Sequence, residues 1–217
     1  PYVDLDVVEA PLVGGAGGVE FSGLVTVASM LYRPALSEGP MGMLAGLLGG
    51  AGHDARVKEL TDSMLEFVTA HEVAHQWWPG LVGSDSRQHP FQDEALAQWS
   101  AVLHIKERYG PERAKLEADR QVLANYHTMR LLGSDDGAVD RPVDAFSGEL
   151  AYAGLVYGKG PFFYRELQKA LGDAVFFERM RAYVARHRFK HAPPRGLVDE
   201  LAKGEHEAVP PAALGTL

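Results

Sequence analysis

Residues 71 to 75 read His-Glu-Val-Ala-His, and eighteen residues separate His75 from Glu94. On a helix, positions i and i+4 lie one turn apart on the same face, so both imidazoles can address one ion. Glu72, rotated roughly 100° from His71 about that axis, is turned toward a water on the ion and not toward the ion itself. Glu94 opens a second predicted helix and completes a His-His-Glu set for one Zn2+ per chain. Zinc with three protein ligands keeps a fourth position for water and lowers its pKa to about 7. A neighbouring carboxylate then takes the proton as the water attacks a carbonyl carbon. The chain contains no cysteine, which excludes thiolate zinc sites and disulfides and leaves imidazole and carboxylate as the metal donors. Asp93, beside Glu94, has two equal readings: an acceptor for a ligand imidazole, or the N-cap of the second helix.

The elements that must hold these residues follow from periodicity and punctuation. Residues 1–33 read as strands: Val3, Leu5 and Val7 alternate with Asp4 and Asp6 in the period of two of a half-buried strand. A Gly-rich turn at 14–18 leads to Val19-Glu20-Phe21, and a β-branched run covers 24–27. Two prolines and many glycines predict a loop over 34–53 with at most one short helical turn. From Asp54, the expected N-cap, Val57, Leu60, Met64, Phe67, Val68, His71, Ala74, His75 and Trp78 recur at spacings of three and four. Pro79-Gly80 ends that helix. Further helices are predicted at 93–109, 112–132, 160–171, 173–187 and 195–203, with a polar loop at 133–147. Strands first and helices after describe an α+β fold. No internal repeat is present.

Composition bounds the function. With 217 residues, 46% of them hydrophobic, the chain can bury a substantial core. A net charge of −8 argues against nucleic acid as the partner. No stretch approaches the ~20 apolar residues that span a bilayer, and the most lipophilic run, 41–51, is short and broken by glycines. No signal peptide is visible, and the compartment, cytoplasmic or exported, stays open for this soluble chain. The abrupt ends, Pro1 and Leu217, read as those of a piece of a longer protein.

The residues around the metal motif resemble the aminopeptidase N family of zinc exopeptidases, gluzincins with a HExxH-x18-E signature. His71-Glu-Val-Ala-His-Gln-Trp-Trp-Pro-Gly-Leu-Val82 is similar to the family's HELAHQWFGNLV. Gly17-Gly18-Val19-Glu20-Phe21 stands in the place of its GAMEN sequence, and Gly23-Leu24-Val25 in the place of WGL. Tyr157-Gly158-Lys159-Gly160 matches its Tyr-x-Lys-Gly element, with Tyr152 five residues earlier. The match runs in order over residues 1–203.

The resemblance implies a thermolysin-like catalytic domain over 1–217, with a strand-rich lobe at 1–33 and a mainly α-helical lobe at 54–203. The family's N-terminal β domain and C-terminal helical domain have no counterpart here, so the domain is expected to pack against other domains or chains of the same parent protein. His71, His75 and Glu94 would be the zinc ligands and Glu72 the base. Tyr157 would donate a hydrogen bond to the oxyanion, and Glu20 would bind the α-amino group of peptide substrates with a free N-terminus. Gly17 and Gly18 would let substrate backbone approach a strand edge, and Tyr152 joins the substrate-binding residues. The departures, Val19 and Phe21 in the GAMEN place and Asp93 where Asn is usual, leave specificity open. A thermolysin-like endopeptidase using the same ligands, and a non-catalytic interaction module retaining the fold, are the alternatives. Glu20 separates the first of these from an aminopeptidase; the presence of Glu72 and Tyr157 weighs against the second. The other histidines, His89 among them, read as surface or loop residues, and the basic run from Arg179 to Lys190 as a solvated helix face.

Overall fold

The computed structural model describes residues 1–13, 16–32 and 53–203. The loop expected at 34–53 lies outside them apart from residue 53, which begins a helix, and so does part of the Gly-rich turn at 14–18. The chain divides into two compact units, Tyr2–Val73 and Ala74–Leu217.

The first unit is a mixed three-stranded sheet with two helices. β1 (Asp6–Ala10), β2 (Gly18–Phe21) and β3 (Leu24–Ala28) are ordered β1-β3-β2. β1 pairs parallel to β3 with Asp6 opposite Leu24, and β2 pairs antiparallel with Glu20 opposite Val25. The β-branched run takes the central position, where Val25 and Val27 are fully buried. The alternation at the start of the chain misleads: β1 begins at Asp6, Val3 is wholly exposed, and Val7 and Val8 are both nearly half-exposed. An edge strand satisfies half its backbone against β3 and buries little side chain in doing so.

Helix α1 (Ser29–Tyr32) is short, and α2 (His53–Ala74) is long. α2 starts one residue before Asp54, the expected cap, and stops four residues before Trp78. Leu65 and Val68 of α2 pack with Leu12 against Val27, Ala28 and Leu31. Leu60 and Met64, read as inward-facing, are exposed; burial is concentrated in the second half of the helix, at Ser63, Phe67, His71 and Glu72.

The second unit is helical. α3 (Glu94–Tyr109) is its core, burying Ala95, Leu96, Ala97, Trp99, Ala101, Val102 and Ile105. Gly110, at φ 88°, turns the chain into α4 (Pro111–Glu117), where proline suits the first helical turn. The run then widens into π-type turns at Ala118–Leu123 before α5 (Ala124–Leu131). A second π-type segment, Ala153–Lys159, links α6 (Glu149–Tyr152) to α7 (Gly160–Leu171). α8 (Asp173–His187) follows, with Gly172 at φ 76° between them. α7 and α8 span the expected 160–171 and 173–187, whereas the helical stretch 149–159 was not expected from its glycines. α9 (Gly196–Leu201) closes the described chain. A small parallel pair, β4 (Val82–Gly83) and β5 (Lys190–His191), joins the segment after the metal motif to the end of α8.

The basic run on α8 is not a bare solvated face. Arg179 donates to the Leu201 carbonyl and Arg186 pairs with the buried Glu200 at 2.9 Å, which pins α9. Among the described residues no helix is long and apolar enough to cross a membrane.

Candidate active site

His75 follows α2 directly, in the turn built by His75-Gln-Trp-Trp-Pro-Gly. The amides of Trp77 and Trp78 both donate to the Ala74 carbonyl, and Gly80 N–H donates to the His75 carbonyl at 3.0 Å. A Cβ at Gly80 would lie 2.8 Å from that carbonyl oxygen, so only glycine closes the turn this tightly. The turn brings the Trp78 carbonyl back onto the imidazole, where Nδ1–H donates to it at 2.5 Å. That bond fixes the tautomer and makes Nε2 the lone-pair nitrogen, the arrangement typical of a metal-ligating histidine.

Glu94 is the first residue of α3, and its Oε2 lies 3.4 Å from His75 Nε2. Asp93 holds it there. One Asp93 oxygen accepts from the Glu94 backbone N–H at 2.8 Å; the other accepts from Ser84 Oγ at 3.1 Å and from Ser86 Oγ. Burial pushes the Asp93 carboxyl up to about 6, with the Ser86 hydrogen bond pulling the other way and the Glu94 charge adding to the rise. Of the two readings of Asp93, its side chain fulfils the cap.

The phenol of Tyr157 is hydrogen-bonded to Glu94 and to Tyr152. Its pKa is raised well above the ordinary tyrosine value, first by burial and then by the Glu94 charge. It is therefore a proton-bearing donor at neutral pH. Phe146 and Tyr152 meet edge to face at 5.2 Å, and Tyr152 and Tyr157 at 5.6 Å. Arg141 sits over the Phe146 ring at 4.3 Å and closes this row.

In the first unit, His71 and Glu72 lie in the last turn of α2, 7% and 5% exposed. Burial of that depth is unusual for imidazole and carboxylate unless they are engaged. Carboxylate oxygens of Glu20, on β2, and Glu72 lie within 4.8 Å of one another. A Cβ on Gly18 would fall 2.3 Å from the Glu72 carboxyl, and one on Gly17 would fall 3.3 Å from Val68. The room left by these glycines is thus taken by α2, and at Gly18 by the Glu72 carboxyl itself.

Of the expected metal ligands, His75 and Glu94 lie side by side in the second unit, and His71 is buried in the last turn of α2 in the first. Two imidazoles and a carboxylate are a donor set that hydrolytic zinc takes, and the tautomer fixed on His75 fits it. Sequence reasoning missed the two serines on Asp93 and the aromatic row from Phe146. It also treated His89 as unpartnered, whereas His89 Nδ1 pairs with Asp140 at 2.9 Å and is half-buried. Neither serine carries a spacing signal, and Asp140 is 51 residues from His89, so no local pattern marks these pairs.

Residues 53–212 match the Peptidase family M1 domain. The chain is 26% identical over 221 residues to Aminopeptidase M1 of Arabidopsis thaliana, covering 96% of this chain and 22% of that protein. It is 26% identical over 208 residues to Glutamyl aminopeptidase of Rattus norvegicus, covering 90% of this chain and 19% of that protein. It is 28% identical over 143 residues to Aminopeptidase RNPEPL1 of Homo sapiens, covering 64% of this chain and 20% of that protein. The chain thus spans about a fifth of the length of these relatives.

Proposed function

Because the chain belongs to peptidase family M1, we propose that it is the thermolysin-like catalytic domain of a zinc aminopeptidase, removing the N-terminal residue from unblocked peptides. The observation that carries this reading is the contact of the Tyr157 phenol with Glu94, whose carboxylate faces His75 Nε2. An oxyanion donor beside a metal-ligand pair is the pairing that acyl hydrolysis requires.

His71, His75 and Glu94 would hold the zinc, which when bound supplies Lewis-acid polarisation of the scissile carbonyl and a water of lowered pKa. Glu72 takes the proton from the attacking water and returns it to the departing amine, so its carboxylate acts first as base and then, protonated, as acid. Tyr157 donates its O–H to the oxygen on which negative charge develops. Its raised pKa keeps that proton in place across the neutral range. Glu20 receives the substrate's α-ammonium group, which fixes the scissile bond one residue from the free end. Gly17 and Gly18, expected to admit substrate backbone, instead let their strand close onto α2, with the Glu72 carboxyl in the room left at Gly18, and Tyr152 adds an aromatic contact for substrate. The aminopeptidase names of the relatives support the exopeptidase reading over an endopeptidase one.

The test is release of N-terminal residues from matched unblocked and acetylated peptides by the natural full-length protein, with and without chelator. The expected result is release from the unblocked peptide only, abolished by chelator and restored by Zn2+. Internal cleavage of the acetylated peptide would overturn the exopeptidase reading. Glu20→Ala is expected to raise KM for unblocked substrates at least tenfold.

A further inference from the structure

We infer that Asp93 is a positioning residue for the metal centre: its buried carboxylate fixes the backbone of Glu94 and ties that ligand to the segment at 84–86. The inference rests on the reading of Glu94 as a zinc ligand.

A helix cap needs one side-chain acceptor, and it ordinarily serves an amide of the second or third helical residue. Asp93 does more. One oxygen accepts from the N–H of Glu94 itself, the first helical residue and the candidate ligand, at 2.8 Å. The other gathers two hydroxyls, Ser84 at 3.1 Å and Ser86. Its backbone carbonyl accepts from Ala97 N–H at 2.7 Å, so the residue is also locked at its main chain. The residue is only 2% exposed, and burial of a carboxylate to this depth is unfavourable unless its oxygens are engaged.

The serines are themselves fixed. Asp85 Oδ1 accepts from the amides of Arg87 at 3.2 Å and Gln88 at 3.1 Å, and the Asp85 carbonyl accepts from His89 at 2.7 Å. A compact turn thus presents both hydroxyls from the segment that follows β4, and Asp93 joins that turn to the first turn of α3. Glu94 Oε2, 3.4 Å from His75 Nε2, sits one residue beyond this joint. A rotation of the Asp93 side chain would release the amide of Glu94 and with it the carboxylate's approach to His75. Groups that orient a ligand in this way typically change metal affinity ten- to a hundredfold when removed.

The experiment measures the Zn2+ dissociation constant by competition with a chromophoric chelator for wild type, D93A, D93N and the S84A/S86A double variant. D93A is expected to weaken Zn2+ binding about ten- to a hundredfold. D93N is expected to restore most of the affinity, because its Oδ1 still accepts from Glu94 and its amide can donate to both serine oxygens. S84A/S86A should fall between wild type and D93A. Wild-type affinity in D93A, or no recovery in D93N, overturns the inference. If D93A does not fold, wild-type affinity in the double serine variant overturns it instead. Failure of wild type itself to bind Zn2+ would sink the zinc reading, a distinct result.

Discussion

At the scale of single residues, the proposed mechanism depends on where two protons reside: Glu72 would have to be ionised to accept a proton, and Tyr157 would have to keep its own. Burial and the Glu94 charge push the Tyr157 phenol well up, so its ionisation cannot shape the activity profile below pH 10. Tyr157→Phe is accordingly expected to lower kcat roughly 10²–10³-fold, the cost of one oxyanion donor, with KM changed less than threefold and the acid limb of the pH–rate profile unmoved. Glu72→Gln should lower kcat by roughly 10²–10⁴-fold while zinc content, measured by atomic absorption, stays at one per chain. Retention of activity in Glu72→Gln would remove the general-base assignment. The sequence spacing of His71, Glu72 and His75 suggested the proposed chemistry, although only His71 and Glu72 lie on α2 and His75 stands in the turn that follows it. Asp93 and its serines were not legible there, since hydroxyl partners have no period and only the folded turn at 84–88 aims them.

Elements explain how Tyr152 and Tyr157 come to touch. Residues five apart on an α-helix point roughly 140° away from each other. The stretch Ala153–Lys159 instead forms π-type turns, whose i→i+5 hydrogen bonds put such residues nearly above one another, and the two rings meet at 5.6 Å. Gly154 and Gly158 make this segment possible, and no element was predicted across it. A Cβ at Gly154 would lie 2.4 Å from Met129 Cβ, and one at Gly158 would lie 2.6 Å from the Tyr126 backbone nitrogen, both on α5. Neither neighbour can swing away. Gly154→Ala and Gly158→Ala are therefore expected to cost about 1–3 kcal/mol each from overpacking, read as a lower Tm. Gly18 provides the contrast, since the atoms its Cβ would strike are the Glu72 carboxyl, 2.3 Å away at the end of a flexible side chain. Gly18→Ala should leave Tm within about 1 °C, a surface-like change, yet lower kcat at least tenfold by displacing Glu72. Equal Tm losses in all three variants would refute the distinction. Propensity and punctuation located α7 and α8 residue for residue, because Gly160-Pro161 and Gly172 mark their ends. They overran α2, because the stripe through Trp78 keeps its spacing while the backbone has already turned at His75.

At the scale of the molecule, the described residues are mainly helical with a few strands, compatible with the α+β expectation, although β4 and β5 come after helices and not before them. The division at Val73/Ala74 falls within α2 and has no mark in the sequence, since nothing interrupts the helical period there. The chain's stability should carry an alkaline signature. Tyr164 is fully buried, with its hydroxyl donating to the Phe91 carbonyl at 3.4 Å, and burial raises its pKa well above the ordinary value. Burial also pushes Tyr183, stacked on Trp78, up to about 12. Unfolded tyrosines ionise near pH 10, so a raised native pKa stabilises the fold fully below pH 10 and less as pH climbs toward 12. Each suppressed ionisation therefore removes stability as the pH rises above 10. Lysines also discharge in this range, so the comparison must be differential: Tyr164→Phe/Tyr183→Phe should flatten the fall in Tm between pH 9 and 11 relative to wild type. An unchanged slope in the double variant would show that these phenols ionise in the native state as readily as in water, against the burial that surrounds them.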